Sequence, residues 1–489
     1  MHLRIRNERL AKVAAHVSLV VVLAINFRSI QGVLMARQQG DSGSPESKVA
    51  LKRILAFSLP SLPLAALGLP LVVQLPPHYA QNLGLDVGLV GLVFMLARVA
   101  DIGIDVGIGL AMDQTRTKIG RFSPWLLAAT PVIMLGVWFL FMAQPGVSAI
   151  YLIGSLFVTY LGFSMGSLSQ MSLGATLSDN YYERSRVFVF WQVFNVIGML
   201  LALAIPVIIH QMKGTPTSGV QGMGWFIILL MPVGALIAAF QAKEPQPKSE
   251  VKKTSIADML SLVKSVACRK LLISDIILTF ASGVTGGLFL FYFSAVKGYG
   301  DQASALLLIY FVAGLVGAPI WTILARRLGK HVSLIYACIF AAVTQPMIMF
   351  LPTDNFIVAA CGMAFFGLVY TSAAYLLRAM MADIGDEDLL RTGQDRTGLL
   401  YALVTLTGKG GYALAVGVTY MGLSMVGFDA KLLGANSQSA IQGLTFFFIG
   451  LPVVASLVGA AILRGYPIDA ARTAALQEEI ELKRASGAI

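Results

Sequence analysis

Residues 95–125 read MLARVADIGIDVGIGLAMDQTRTKIGRFSPW, and this stretch places three charged side chains inside an apolar run of helix length. Arg98, Asp101 and Asp105 are spaced i, i+3 and i+7, so a helix carries all three on one face. A charged side chain at the bilayer centre costs about 2.5–3.5 kcal/mol on insertion scales, and such side chains usually face a cavity or a partner. The stretch therefore predicts a membrane helix whose charges point into the protein.

The whole chain has the composition of a membrane protein. Of its 489 residues, 57% are hydrophobic and 12% are charged, and the mean hydropathy is +0.76. A soluble chain of this length would instead form domains with charged surfaces. The net charge of +11 suits a nucleic-acid partner at first sight. However, the basic residues lie mostly between apolar segments, so we interpret the charge as topological and expect no nucleic-acid binding.

The sequence contains no pattern typical of an enzyme. The three cysteines, Cys268, Cys338 and Cys361, have no spacing that indicates a disulfide framework or a zinc site. Phosphate-loop and nucleophile-elbow motifs are also missing. We therefore expect neither enzymatic activity nor a cofactor.

Twelve apolar segments are long enough to cross a bilayer as helices. The basic residues concentrate in alternate connectors: 113–123 and 325–331 are rich in Lys and Arg, whereas 143–148 and 351–355 carry none. By the positive-inside rule, the basic connectors and both termini lie in the cytoplasm. We expect a multi-pass protein of the inner cell membrane, with these spans: 54–76, 87–112, 124–143, 149–176, 187–210, 224–241, 271–296, 303–325, 332–350, 356–381, 398–425 and 441–464.

The long connector 242–270 separates six spans from six. This layout predicts an all-α membrane protein with the major facilitator fold, with one half at 51–241, the other at 271–464, a cytoplasmic central loop between them and a cytoplasmic tail at 465–489. Parallel halves of this kind place the solute site between them, near the midplane. We expect the bilayer and a small solute to be its partners, and the monomer to be functional.

The N-terminal segment 1–50 is predicted to be cytoplasmic. Its apolar stretch 13–27 is short for a span, and a span or a cleaved signal peptide there would invert every later loop. The stretch is therefore either a helix at the membrane surface or not part of the mature protein. Met35 opens a polar stretch that is typical of a cytoplasmic start, so the true start can lie near it.

The charges of span 2 have two interpretations. An ion pair of Arg98 with one aspartate would hold helices together, but this interpretation gives the other carboxylate no partner. Two carboxylates one helical turn apart supply hard oxygen ligands for a small cation. Burial and mutual repulsion also suit such a pair to hold a proton. We favour a cation or proton site over a structural ion pair.

The same stretch, together with a second one, resembles the glycoside–pentoside–hexuronide:cation symporter family, to which the melibiose permeases belong. The first match is the Arg and two Asp followed by Asp, Thr-Arg and Gly-Arg-Phe-x-Pro-Trp, within 97–127. The second is 381–417, where the family has an acidic loop, an Arg-containing helix start and Lys-Gly-Gly inside span 11. The resemblance implies secondary active symport of a sugar or glycoside with Na⁺ or H⁺, by alternating access of the two halves.

The resemblance also implies roles for individual residues. Asp101 and Asp105 bind the coupling cation, as a metal site if the ion is Na⁺, and Ser164 of span 4 aligns with a hydroxyl ligand. Lys409 aligns with the lysine that couples cation to solute, and we assign Arg98 to the same coupling group. From its position alone, Lys409 is a buried cation at the depth of the carboxylates, so we expect it to pair with them across the halves unless it only faces a water-filled vestibule.

The residue between the aspartates leaves the coupling ion open. Ile104 stands where the family commonly has Asn, and this change removes one oxygen ligand. Proton coupling is therefore as credible as sodium coupling.

The sugar ligands of the melibiose-type members are missing here. Span 1 carries no charge, and Ser167 and Met171 replace an acidic residue and a Trp in span 4. Ser167, Gln170 and Gln192 remain as candidate solute ligands, unless they are polar groups used in helix packing. The uncharged span 1 keeps open a lipid-like or other amphipathic solute, and a third alternative is a non-transporting receptor or assembly factor on the same fold.

The connector after span 2 resembles the general facilitator motif. We expect Asp113 to pair with an arginine of this loop, Arg116 or Arg121, and to latch the outward-open state. The alternative is a solvated basic turn that only sets the topology.

Overall fold

The structure, a computed structural model, describes residues 49–177, 181–212, 215–242, 261–394 and 396–485. The predicted N-terminal segment, its possible start at Met35 and most of the central loop lie outside the described residues. The predictions about them therefore stay predictions.

The described part of the chain is helical, and twelve of its helices are long and apolar enough to cross a membrane. This confirms the predicted fold class and number of spans. We name the helices by their span number. Span 1 consists of Leu51–Ser58, Ser61–Gly68, Pro70–Val73 and Leu75–Gln81. Spans 2 to 6 are, in order, Val87–Gln114, Ser123–Phe141, Ala149–Thr176, Tyr181–Gln211 and Pro216–Gln241.

The second six spans include two interrupted helices and are followed by a helix in the tail. Span 10 breaks between Gly367 and Ser372, and span 12 contains one π-helical turn. Spans 7 to 12 are, in order, Val266–Ala295, Ala303–Leu328, Lys330–Met347, Phe356–Gly367 with Ser372–Thr392, Thr397–Met425, and Gln438–Thr445 with Leu451–Leu463. The tail contains the helix Ala470–Ala485.

Prolines divide span 1 into short helices. Proline lacks the amide hydrogen that a helix interior needs, and its ring disturbs the preceding turn. Pro60 precedes the second helix, Pro70 begins the third and Pro76 lies in the first turn of the fourth. Span 1 is thus divided into four short helices.

The acidic segment 381–392 is wrongly predicted as a loop, because it continues the helix Ser372–Thr392 of span 10. Its buried carboxylates have cationic partners, which allows them to lie inside a helix bundle. The ammonium of Lys330 donates to both oxygens of Asp383, at 2.6 and 2.8 Å. Asp388 accepts hydrogen bonds from two arginines that follow it in the chain.

The first six spans meet the last six mainly at one end of the molecule, which we call the closed end. Span 2 begins and span 11 ends there, and a Cβ added at Gly88 would lie 2.8 Å from the Cβ of Ser424. A Cβ at Gly417 would collide with Met95. The largest cluster of buried apolar side chains extends across both halves, with Val90 on one side and Leu288 on the other.

Contacts between the halves become sparse toward the opposite end, the open end. In span 1, Pro70–Val73 and Leu75–Gln81 pack against span 7 of the other half. By contrast, Leu51–Ser58 packs against spans 4, 5 and 6 of its own half. The halves are therefore joined at the closed end and separate toward the open end, as in a carrier that exposes its centre to one side.

Replacing Gly417 by Val should disfavour this arrangement. The added side chain needs the space that Met95 of the other half occupies, and overpacking of a tight contact costs about 1–3 kcal/mol. We expect Gly417→Val to shift the population toward the oppositely opened state, measured as a change in distance between spin labels at the two ends. Gly154→Val is the matched control, since a Cβ at Gly154 meets nothing within 4 Å. A distance distribution unchanged in Gly417→Val would contradict the expectation.

Candidate cation-coupling site

Span 2 brings the two aspartates of the site to one face of a continuous helix. Asp86 caps the start of this helix by accepting a hydrogen bond from the amide of Leu89 at 2.8 Å. Asp101 is fully buried, with 0% of its side chain exposed. The hydroxyl of Ser164, on span 4, donates to Asp101 Oδ1 at 2.6 Å. The structure thus brings the predicted ligands Asp101 and Ser164 together.

Lys409 of span 11 reaches the same carboxylates from the other half. Its Nζ donates to Asp101 Oδ2 at 2.7 Å and also to Asp105 Oδ2. Only 13% of the Lys409 side chain is exposed. The ammonium therefore joins the two halves at the middle of the bundle, while its role in coupling stays a prediction.

Arg98 adds a second cation to the group. Its Nη1 lies 3.5 Å from Asp101 Oδ2, and its guanidinium lies over the ring of Tyr160, 5.1 Å from the centroid. The aromatic face attracts the guanidinium and holds it beside Asp101. Tyr160 was missed in the sequence, because nothing in its local pattern distinguishes it from a tyrosine used in packing.

The charges of the group balance, and one acceptor is left over. Arg98 and Lys409 carry two positive charges, and Asp101 and Asp105 carry two negative ones. Asp105 Oδ1 is buried without a hydrogen-bond partner among the described residues, although 20% of its side chain is exposed. A small cation prefers carboxylate and hydroxyl oxygens, so these residues fit such an ion. Asp105 is the ligand that it can reach first.

Two candidate solute ligands have different surroundings. The hydroxyl of Ser167 donates to the carbonyl of Phe163, one turn earlier in its own helix, at 2.7 Å. Ser167 is thus already bonded within span 4, as the packing alternative requires. Gln192 of span 5 is exposed and remains available.

Gln170, the third candidate, is bonded to neighbouring helices, as the packing alternative requires. It is buried, and its amide nitrogen donates to the carbonyl of Phe57 and to Ser61 Oγ, both at 2.9 Å. Its amide oxygen accepts a hydrogen bond from Trp191 Nε1 at 3.3 Å. The side chain therefore joins span 4 to spans 1 and 5, and both of its N–H donors are used within the protein.

The latch proposed for the connector after span 2 stays a prediction. Arg116 Nη1 donates to the carbonyl of Thr115 at 2.9 Å, and the guanidinium of Arg121 lies 4.5 Å from the ring centroid of Phe122. The side chain of Asp113 lies outside the described part. The connector is at the open end, whereas the latch is expected in the oppositely opened state.

Removing Lys409 should tighten cation binding, because a cation no longer has to displace the ammonium from the two carboxylates. In Lys409→Gln the site keeps Arg98 alone against two negative charges, so the solute-free protein should also be less stable, by about 1–3 kcal/mol. We expect added Na⁺ to raise the melting temperature of Lys409→Gln more than that of the native protein. Lys431→Gln, which removes an ammonium at the closed end, serves as the control. An equal response to Na⁺ in all three proteins would count against the pairing as the element that a cation displaces.

Residues 56–470 match the model of the MFS/sugar transport protein family. The uncharacterized symporter YnaJ of Bacillus subtilis (strain 168) is 24% identical over 419 residues, which cover 82% of this chain and 89% of the relative. The isoprimeverose transporter of Lactiplantibacillus pentosus is 22% identical over 410 residues, covering 80% and 83% of the two chains. The crystal structure of the nucleoside transporter NupG superposes with a TM-score of 0.61 at 14% identity, covering 85% of this chain and all of the other. The chain therefore belongs to the MFS/sugar transport protein family, and it is a transporter and not an enzyme.

Proposed function

We propose that the protein couples the uphill transport of a sugar or glycoside to the entry of Na⁺ or H⁺. The observation that carries the proposal is the ammonium of Lys409 held between Asp101 and Asp105, where the two halves meet inside the bundle. A buried ion pair across two halves is a weak source of stability, but its disruption by a competing cation is a direct way to change their contact. The family match and the sugar-transporting relatives support the solute class.

The coupling cycle follows from the geometry of this group. A cation binds at Asp105 Oδ1, which has no hydrogen-bond partner among the residues that the structure describes, and then takes over the oxygens that Lys409 contacts. Ser164 adds a hydroxyl oxygen on the side of Asp101. Once Lys409 is displaced, the tie between the halves weakens and the solute-binding arrangement becomes favourable. A ligand shifts such an equilibrium only by its difference in affinity for the two states, so cation and solute favour each other.

The basic connectors suggest the orientation. The connector 113–123 follows the end of span 2 that lies at the open end, and it is rich in Lys and Arg. By the positive-inside rule, the open end faces the cytoplasm and this state is inward-open. We propose that both termini are cytoplasmic, that the protein lies in the inner membrane and that the monomer is the transporting unit.

Asparagine at either aspartate should abolish accumulation against a gradient. Asp101→Asn and Asp105→Asn each remove one negative charge that the cation needs, so uptake should fall to equilibration while downhill exchange survives. The measurement is uptake of radiolabelled isoprimeverose and of a panel of other glycosides into vesicles. Asp86→Asn is the control, because it changes a carboxylate on the same helix outside the site and Asn also caps helices. Accumulation at the native level by both site variants would contradict the proposed cation site, whereas the absence of uptake of every glycoside by the native protein would favour a non-transporting protein.

The ion can be identified in vesicles by separating the two gradients. A proton needs one carboxylate, whereas Na⁺ needs several oxygen ligands, and Ile104 supplies none. If the ion is H⁺, an inward pH gradient drives uptake at zero sodium. If it is Na⁺, uptake requires sodium and does not respond to a pH gradient alone. Uptake that responds to neither gradient would contradict cation coupling.

A further inference from the structure

A third carboxylate lies close to the coupling site on the side of the second half. Asp275 of span 7 is buried, with 6% of its surface exposed. The hydroxyl of Thr407 on span 11 donates to Asp275 Oδ2 at 2.6 Å. Within the part of the chain that the structure describes, Asp275 forms no ion pair. The guanidinium of Arg378 acts on it only through space, because Arg378 is exposed and donates to the carbonyl of Ala374 in its own helix.

Asp275 and the coupling site flank the same short segment of span 11. Span 11 packs against span 2 on one side and span 7 on the other. Thr407 contacts Asp275, and Lys409, two residues later, contacts Asp101 and Asp105. Span 11 thus lies between two acidic positions that belong to different halves, and Lys409 contacts only the one on span 2.

The space beside Lys409 is open toward Asp275. A Cβ added at Gly408 would have a single neighbour within 4 Å, the Oδ2 atom of Asp275 at 3.9 Å. A Cβ added at Gly410, on the other side of Lys409, would meet nothing within 4 Å. Lysine carries its charge on a flexible four-carbon stem, so its ammonium can change partners without a movement of the helix.

The balance of charge requires a new partner for the displaced lysine. The group of Arg98, Lys409, Asp101 and Asp105 is neutral, so a bound cation makes it positive by one. An ammonium left buried without a counter-charge is costly. If Lys409 moves to Asp275, the cation and Arg98 balance Asp101 and Asp105, while Lys409 balances Asp275. With Asp275 included, the buried side chains carry one excess negative charge in the empty carrier, and the bound cation brings the sum to zero with every charge paired.

We propose that Asp275 is the second counter-ion of Lys409, which pairs with Asp101 and Asp105 in the empty carrier and with Asp275 in the cation-loaded carrier. The exchange rests on the proposed cation coupling and specifies where the displaced ammonium goes. It converts a contact between the two halves into a contact inside the second half. Asp275 is accordingly a positioning residue, since it acts through Lys409 and not on the cation.

A double-mutant cycle with the cation as probe tests this exchange without knowledge of the solute. Asp275→Asn removes the alternative partner of Lys409, so the Na⁺ affinity of the purified, solute-free protein should fall roughly tenfold, which corresponds to the loss of one charged partner. In the Lys409→Gln background no ammonium is displaced, so adding Asp275→Asn should leave the affinity unchanged. Isothermal titration with Na⁺ measures all four affinities, and proton uptake in unbuffered solution replaces it if the native protein responds only to acid.

Two glycine variants test the same exchange with every charge kept in place. Gly408→Val fills the space between Lys409 and Asp275 and should lower the cation affinity of the native protein but not that of Lys409→Gln. Gly410→Val places the same side chain on the other side of Lys409 and should leave the affinity unchanged. This pair also decides the case in which Asp275→Asn does not fold.

The possible contrary results are distinct. An equal loss of affinity from Asp275→Asn with and without Lys409 would mean that Asp275 acts directly on the cation or on the fold, and it would overturn the exchange. No loss in the native background would overturn it as well. A native protein that binds neither Na⁺ nor H⁺ would remove the proposed coupling itself, and the exchange with it.

Discussion

The structure depends on one constraint, which is that a lysine ammonium buried at the middle of a membrane bundle must have a counter-charge. Lys409 finds it on Asp101 and Asp105 of the other half. Because Arg98 is also present, the group is neutral and its burial is tolerable. The same neutrality makes the group sensitive to any additional cation. Because the ion pair is only marginally favourable, the binding of one ion can supply the free energy that is needed to break it.

Because this ion pair lies on the same two helices as the contacts of the closed end, it can influence how strongly the two halves are held together there. Glycines on spans 2 and 11 allow the two helices to approach closely between the charged group and the closed end, as Gly88 and Gly417 illustrate. Close helix contact through small residues depends on packing and not on a hydrophobic effect, since lipid is as apolar as the side chains. The ion pair therefore adds a cation-dependent contribution to the stability of an interface that is formed mainly by close packing of helices.

The polar residues of the first half serve mainly to hold its helices together. Gln170 joins three spans, and Ser167 bonds within span 4. Every buried polar group in lipid must find a partner inside the protein, so an amide or hydroxyl on a helix is used for packing unless a cavity lies beside it. The second half offers Asp275, with one hydroxyl donor and open space toward Lys409. We infer that the carboxylates that respond to the cation lie on both sides of span 11, Asp101 and Asp105 on one side and Asp275 on the other.

The sequence by itself determined the features that depend on local periodicity and composition. The twelve spans follow from their length and apolarity, and the common face of Arg98, Asp101 and Asp105 follows from helical spacing. The depth of Lys409 already indicated its pairing with carboxylates 304 and 308 residues away. Only the tertiary structure decided that Gln170 is used in packing, that 381–392 is helical with its buried acids paired, and that Asp275 bonds to Thr407, two residues from Lys409. These features depend on the rotation and depth of one helix against another, which no local pattern specifies.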